Sequence, residues 1–442
     1  MSTSARPITE SHVVGADACR SEILAIHRLG DGHAAVFLQR DAPPLIVPDA
    51  VAASLDTLRR FRRLDHHLAA AVNPAARALI VDAAHRGVLV HLRDVLARAR
   101  TASVAETAVV PRTIGVLTCD RPDALRRCVT SFARASPGAR FIVVDDSRSA
   151  ANLADNRRVL AELHCEVRHA DLATKRDYAL RLARRSGVDP RIAELAIVGT
   201  TDASGSIGAN RNALMLACAG EPFVMTDDDT EARVAKLADT SDVVRFTEQP
   251  DPLVYRFCDS RAQAIDAVTP VDDDICELHA TALGKRLATM ACSPSIDVDD
   301  CPPATIAAIA EGTGRIAVTI LGIYGDSGMF AGAGFLTHWL DSGHPRADDA
   351  AYRRAVTSRE LVRVAPCTVI RRLPPFMSTS LAIDHRELLP PFMPMLRDED
   401  GVFGAMLAAC CERAYVAHLP RAILHAATPG RSYDPDRITS AK

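Results

Sequence analysis

From residue 112 onward the chain alternates short apolar runs with segments whose apolar residues recur every third or fourth position. Thr113-Ile114-Gly115-Val116-Leu117 and Phe141-Ile142-Val143-Val144 read as buried strands. Between them, Pro122 to Ala133 carries Leu125, Cys128, Val129 and Phe132 on one side, which predicts a helix. Repeated strand-helix units predict an α/β fold, a mostly parallel sheet flanked by helices. In such sheets ligands gather at the carboxyl ends of strands, so the chemistry is expected where each apolar run stops.

Residues 1 to about 105 follow a different pattern and read as a small α+β accessory domain. Ile23 to Ile26 and Ala34 to Leu38 flank Gly30-Asp31-Gly32, a hairpin signature. Leu55, Leu58, Phe61, Leu64 and Leu68 then fall at helical spacing, a second helix is expected over Pro74 to Arg86, and Val88-Leu89-Val90 follows as a strand. This order resembles the winged-helix domains that hold leader peptides in ribosomal-peptide modification; a plain accessory or dimerisation domain fits it as well. Ala102 to Pro111 reads as a linker. Residues 112–431 form the main domain, with a long insertion at about 235–370 and a tail over 432–442. The insertion contains a strand-like Arg315 to Gly322 followed by Gly325-Asp326-Ser327-Gly328, a tight-turn signal, and Met377 to Ile383 reads as a later strand.

At 442 residues the chain exceeds the usual reach of one core, which agrees with this division. A formal charge of -3 gives no reason to expect nucleic acid as a partner. The 12 cysteines include no C-x-x-C pair, and Cys119, Cys128, Cys218 and Cys258 sit among apolar or helix-forming neighbours, so buried free thiols are expected. With no secretory pattern over Met1 to His12, and no apolar run near the roughly 18 residues that a membrane span requires, no transmembrane segment and a cytoplasmic location are expected.

The strand ends carry the candidate chemistry. The first strand stops at Thr118-Cys119-Asp120-Arg121-Pro122 and the second at Asp145-Asp146-Ser147. Either could cap the following helix; either could contact the base and ribose of a nucleotide. More distinctive is Gly208-Ala209-Asn210-Arg211-Asn212, a glycine-led helix that runs into Pro222 to Thr226 and then Asp227-Asp228-Asp229. A guanidinium and a helix N-terminus attract a diphosphate, and the D-x-D carboxylates suit a hard divalent cation that neutralises it. Acidic pairs recur elsewhere, so the apolar strand and the Asn-Arg-Asn helix before this one are what set it apart. Farther on, Asp398-Glu399-Asp400 precedes a helix expected to begin near Val402, and Leu419 to His425 is an apolar segment ending in histidine. The carboxylates suit either a helix cap or a general base, and the histidine either a structural role or a metal ligand.

In this order the pieces resemble the inverting family 2 glycosyltransferases and their GT-A relatives, over about 320 residues. The resemblance implies a nucleotide-sugar donor and a hydroxyl acceptor that is a glycan, a small molecule or a peptide. It further implies nucleotide-sugar contacts from Thr118, Asp145, Asp146, Arg211, Asn212, Asp227 and Asp228. A Mn2+ or Mg2+ ion would be held by Asp229, Asp227 and His425, with Asp400 as catalytic base and Glu399 as its rival. The separation of Asp229 from Asp400 is longer than a minimal member of the family needs. A nucleotidyltransferase of similar fold would bind the same phosphates, but usually carries a Gly-rich loop where this chain has Thr118 to Pro122. A catalytically silent relative acting as a binding protein is the other alternative.

Overall fold

The computed structural model describes residues 18–103, 108–200, 207–249, 252–329, 350, 358–372 and 376–427. The tail expected over 432–442 lies outside them.

The N-terminal unit contains β1 (Cys19–Ser21), β2 (Ala25–Arg28), β3 (His33–Phe37), β4 (Leu45–Pro48) and β5 (Leu89–His91). The expected hairpin forms with Ala25 opposite Phe37, and β4 extends it to three antiparallel strands. Gly30 and Gly32 take φ of 87° and 85° in its turn, a conformation open to glycine at little cost. Helices Asp49–Leu55, Leu64–Ala70 and Pro74–His85 pack on it around Leu55, Leu58 and Ile80. β1 pairs with β5 as a separate two-stranded sheet.

Helix Leu92–Ala102 leaves this unit and enters the next. Its Leu92, Val95 and Ala99, with Phe61, belong to the same core as Val298, Cys301, Ile306 and Ile309. Polar contacts accompany the packing: Arg62 grips Asp299 with both terminal nitrogens, and Arg20 Nη1 donates to the Cys301 carbonyl at 2.5 Å.

Among the described residues the main sheet has 14 strands. Those of its first half are β6 (Thr113–Thr118), β7 (Arg140–Asp145), β8 (Val167–Ala170), β9 (Pro222–Asp227), β10 (Thr230–Lys236), β11 (Val244–Phe246), β12 (Val254–Cys258) and β13 (Thr269–Pro270). The others are β14 (Ile296–Asp297), β15 (Arg315–Asp326), β16 (Glu360–Val364), β17 (Thr368–Arg371), β18 (Ser380–Asp384) and β19 (Ala414–His425). The main path runs β14-β11-β17-β19-β15-β18-β9-β6-β7-β8. The architecture is α/β, and the sheet is mixed. β9, β6, β7 and β8 are parallel neighbours, β15 and β19 pair in parallel, and β18 runs antiparallel between β9 and β15. The carboxyl ends of β7, β9, β15 and β19 therefore share one side of the sheet, and they end in Asp145, Asp227, Asp326 and His425.

Several elements differ in extent from their sequence patterns. The strand read as Arg315 to Gly322 continues to Asp326. Gly322 permits this, because a Cβ there would stand 2.3 Å from the Arg363 carbonyl on β16. The later strand covers Ser380–Asp384, not Met377 to Ile383. The helix expected at Val402 begins at Glu399, after Asp398 turns the backbone to a φ of 69°, so Glu399 and Asp400 occupy its first turn. All 12 cysteines are free thiols; Cys128, Cys218 and Cys258 are buried as expected, whereas Cys119 is exposed in the turn after β6. Among the described residues no helix is long and apolar enough to cross a membrane.

Candidate active site

A cavity of about 930 Å³ opens where the strands end. Thr118 from β6, Asp227 from β9 and His425 from β19 line it, with Asp229 from the following turn, Arg211 from helix Ile207–Ala217 and Asp398, Glu399 and Asp400 from helix Glu399–Cys410 and its lead-in. Segments far apart in the chain thus meet at one sheet edge. Of the residues picked out in the sequence, Asp145, Asp146, Asn212 and Asp228 do not line it.

The turn after β6 is held by side chains. Asp120, at a φ of 53°, accepts from the backbone amides of Arg148 and Ser149, while its own amide donates to Ser147 Oγ. This aims Arg121 across the D-x-D segment, where it meets Asp228 at 2.5 Å and Asp229 at 2.9 Å. Asp228 lies behind the cavity, 1% exposed, and accepts from Thr118 Oγ1 at 2.6 Å. It ties two strand ends together instead of facing a ligand.

Asp229 is engaged at both of its oxygens. Its Oδ2 accepts from Arg121 and its Oδ1 lies 3.1 Å from His425 Nε2. Burial raises its pKa, but His425 and Arg121 outweigh that and hold it well below the usual carboxylate range. For His425 the balance has the opposite sign. Burial works against the imidazolium, yet Asp229 and the Asp326 carbonyl, 2.7 Å from Nδ1, lift it to about 9. Burial pushes Asp227 up to about 6 against the pull of Arg211.

Arg211 is 3% exposed and divides its charge between Asp227 at 3.2 Å and Glu399 at 3.4 Å, with a further bond to the Ser378 carbonyl. The guanidinium that the sequence offered to a diphosphate is thus already matched by protein carboxylates. Asp400 lies at the next position and is held differently. Its Oδ2 accepts from the Ser378 amide at 3.1 Å and hydroxyl at 3.3 Å, and its Oδ1 from the Gly401 amide.

The other residues proposed for nucleotide contacts have structural occupations. Asp145 is fully buried and accepts from Ser147 N, Asn156 Nδ2 and His169 Nε2. Burial raises its pKa, and those hydrogen bonds more than reverse the shift. Asp146 pairs with Lys175, which also donates to Asn210 Oδ1 at 2.5 Å. Asn212 clamps the Phe392 backbone through both its amide and its carbonyl.

Sequence reasoning missed Lys175, Arg121 and Arg363. Lys175 stands in register with Ala179 and Ala183 on the buried face of helix Leu172–Ser186, a lysine at an apolar position that could have been noticed. Arg121 was masked by its place in a helix-start pattern, and Arg363 lies in an apolar strand with no motif around it.

The cation set is only partly assembled. Among the described residues no three of His, Cys, Asp and Glu stand together as a metal-holding group. Asp227 is drawn to Arg211, while Arg121 and His425 occupy the two oxygens of Asp229. A carboxylate and a histidine do meet at the cavity wall, and the histidine's Nδ1 is oriented by a backbone carbonyl, as in many histidine metal sites. No family model matches the chain, and no curated protein sequence matches it.

Proposed function

We propose that this protein transfers a sugar from a nucleotide-diphosphate donor to a hydroxyl acceptor on a GT-A-type sheet, with inversion at the anomeric carbon. One observation carries the reading. Asp229, His425 and Asp400, from three distant segments, line one cavity at the carboxyl ends of β6, β9 and β19.

Asp400 is the general base. Glu399 is 6% exposed and committed to Arg211, whereas the carboxylate of Asp400 is oriented by neutral donors from Ser378 and Gly401 and carries no matching cation among its hydrogen bonds. It takes the acceptor proton as the acceptor oxygen bonds to the anomeric carbon, and the diphosphate leaves with the electron pair. Arg211 positions Asp227 and Glu399, and Asp228 positions Thr118 and Arg121.

Asp229 and His425 would hold a Mn2+ or Mg2+ ion. Such ions commonly take one or two protein ligands and complete their shell from substrate phosphates and water. When bound, the ion supplies positive charge to the departing diphosphate.

The test uses two variants of the full chain. Asp229→Ala abolishes the manganese-dependent thermal shift produced by nucleotide sugars, and Asp400→Asn keeps that shift while transfer stops. Normal turnover by both would overturn these roles.

A further inference from the structure

The insertion supplies the wall of the cavity beside Met377 and Ser378. Tyr255 from β12, Leu361 and Arg363 from β16, and Gly328 after β15 all line it. Arg363 is 8% exposed, with its guanidinium carbon 5.8 Å from the centroid of the Tyr255 ring. Its Nε donates to Tyr255 Oη at 3.0 Å and its Nη1 meets Met377 Sδ. Neither partner carries charge. Among the described residues Arg363 has no carboxylate partner, whereas Arg121 and Arg211 on the same cavity are matched by Asp228, Asp229, Asp227 and Glu399. A guanidinium this deep is costly unless an anion meets it.

Its place narrows which anion. Met377 touches Arg363 on one side, and a Cβ at Gly328 would come within 3.7 Å of Met377 and 3.4 Å of His425. The next residue, Ser378, donates to Asp400. Arg363 therefore borders the stretch Met377-Ser378, which links the His425 end of the cavity to the Asp400 end.

We infer that Arg363, held by Tyr255 and Met377, is the anchor of an anion subsite for a phosphate or carboxylate of the bound substrate. The inference rests on the sugar-transfer reading only for the source of that anion, either the donor diphosphate or an acidic group on the acceptor. Orientation is already fixed by Tyr255, while Nη2 makes no hydrogen bond among the described residues and can point at the ligand.

Calorimetric titration of the full chain with inorganic pyrophosphate and with orthophosphate tests it. Arg363→Met is expected to weaken binding at least about ten-fold, and Arg363→Lys by less, because lysine keeps the charge without the fork. Circular dichroism checks the fold of each variant, and Arg363→Lys carries the test if Arg363→Met does not fold. Repeating the orthophosphate titration with uridine or guanosine diphosphate at saturation separates the sources. Retained Arg363-dependent binding assigns the subsite to the acceptor, and lost binding assigns it to the donor. Wild-type affinity in the folded variants, or no binding of either ion to wild type, overturns the inference. Arg363-dependent orthophosphate binding without any nucleoside diphosphate binding would sink the nucleotide-sugar reading and leave the subsite standing.

Discussion

Asn212→Ala should destabilise the protein by about 3 to 5 kcal/mol. The Asn212 amide donates to the Ala196 carbonyl at 3.0 Å and to the Phe392 carbonyl at 2.9 Å, and its oxygen accepts from the Phe392 amide at 2.7 Å. Each bond contributes about 1 kcal/mol net, and a buried backbone group left without a partner costs about 1 to 3 kcal/mol more. Phe392 is fully buried, so water cannot readily replace the lost partner, and partial relaxation keeps the total below the simple sum. Asn212→Asp should be no milder, because it sets a carboxylate oxygen against two carbonyls. Urea unfolding followed by circular dichroism gives the difference as a shift in midpoint at constant slope. Because the segment leading to Asp400 hangs from this clamp, transfer should slow while nucleoside diphosphate affinity stays within about three-fold, a ratio worth less than 1 kcal/mol. A stability change under about 0.5 kcal/mol together with a ten-fold loss of nucleotide affinity would refute the reasoning and restore Asn212 as a ligand contact.

His279 is fully buried, its Nδ1 meets Thr319 Oγ1 at 2.7 Å, and burial holds its pKa near 3. The unfolded chain binds a proton near pH 6.5 and the folded one does not, so stability should fall by roughly 4 to 5 kcal/mol as pH drops from 6.5 to 3, and His279→Gln should flatten that part of the curve. Lys175→Met removes the ammonium that the buried Asp146 carboxylate meets and should cost about 3 to 5 kcal/mol in chemical unfolding, with Asp146→Asn in the same chain recovering part of it. Gly208→Ala places a Cβ 1.8 Å from the Met393 carbonyl and should cost about 1 to 3 kcal/mol, whereas Gly138→Ala, with its nearest atom at 3.9 Å, should change the urea midpoint little.

The sheet was legible wherever periodicity and length agreed. β6, β7, the hairpin of β2 and β3, and the placing of Asp227 and His425 at strand ends follow from apolar runs that stop at polar residues, whereas the place of Asp400 beside them came only from the resemblance. What could not be read was the direction in which each acid points. Asp227, Asp228 and Asp229 are consecutive, yet one lines the cavity floor, one is turned behind it, and one is locked between Arg121 and His425. A one-residue step decides which, and the deciding partners, Thr118 and Arg121, lie more than a hundred positions away. The same holds for Asp145 and Asp146, whose partners His169 and Lys175 arrive with later elements. Counter-charge is a property of the folded neighbourhood, and spacing along the chain does not carry it.

Helix Leu92–Ala102 has a practical bearing on how the protein can be divided. Cutting after it and keeping only the later residues would strip Phe61, Leu92, Val95 and Ala99 from a shared oily seam. Val298, Cys301, Ile306 and Ile309 would then face water as one sticky strip, and Asp299 would lose the arginine that neutralises it. A shortened chain keeping only the residues after Ala102 would cling to its own copies. Residues 18–102 thus cover helices Leu287–Ala291 and Pro303–Glu311 through Leu92–Ala102, whatever else they bind.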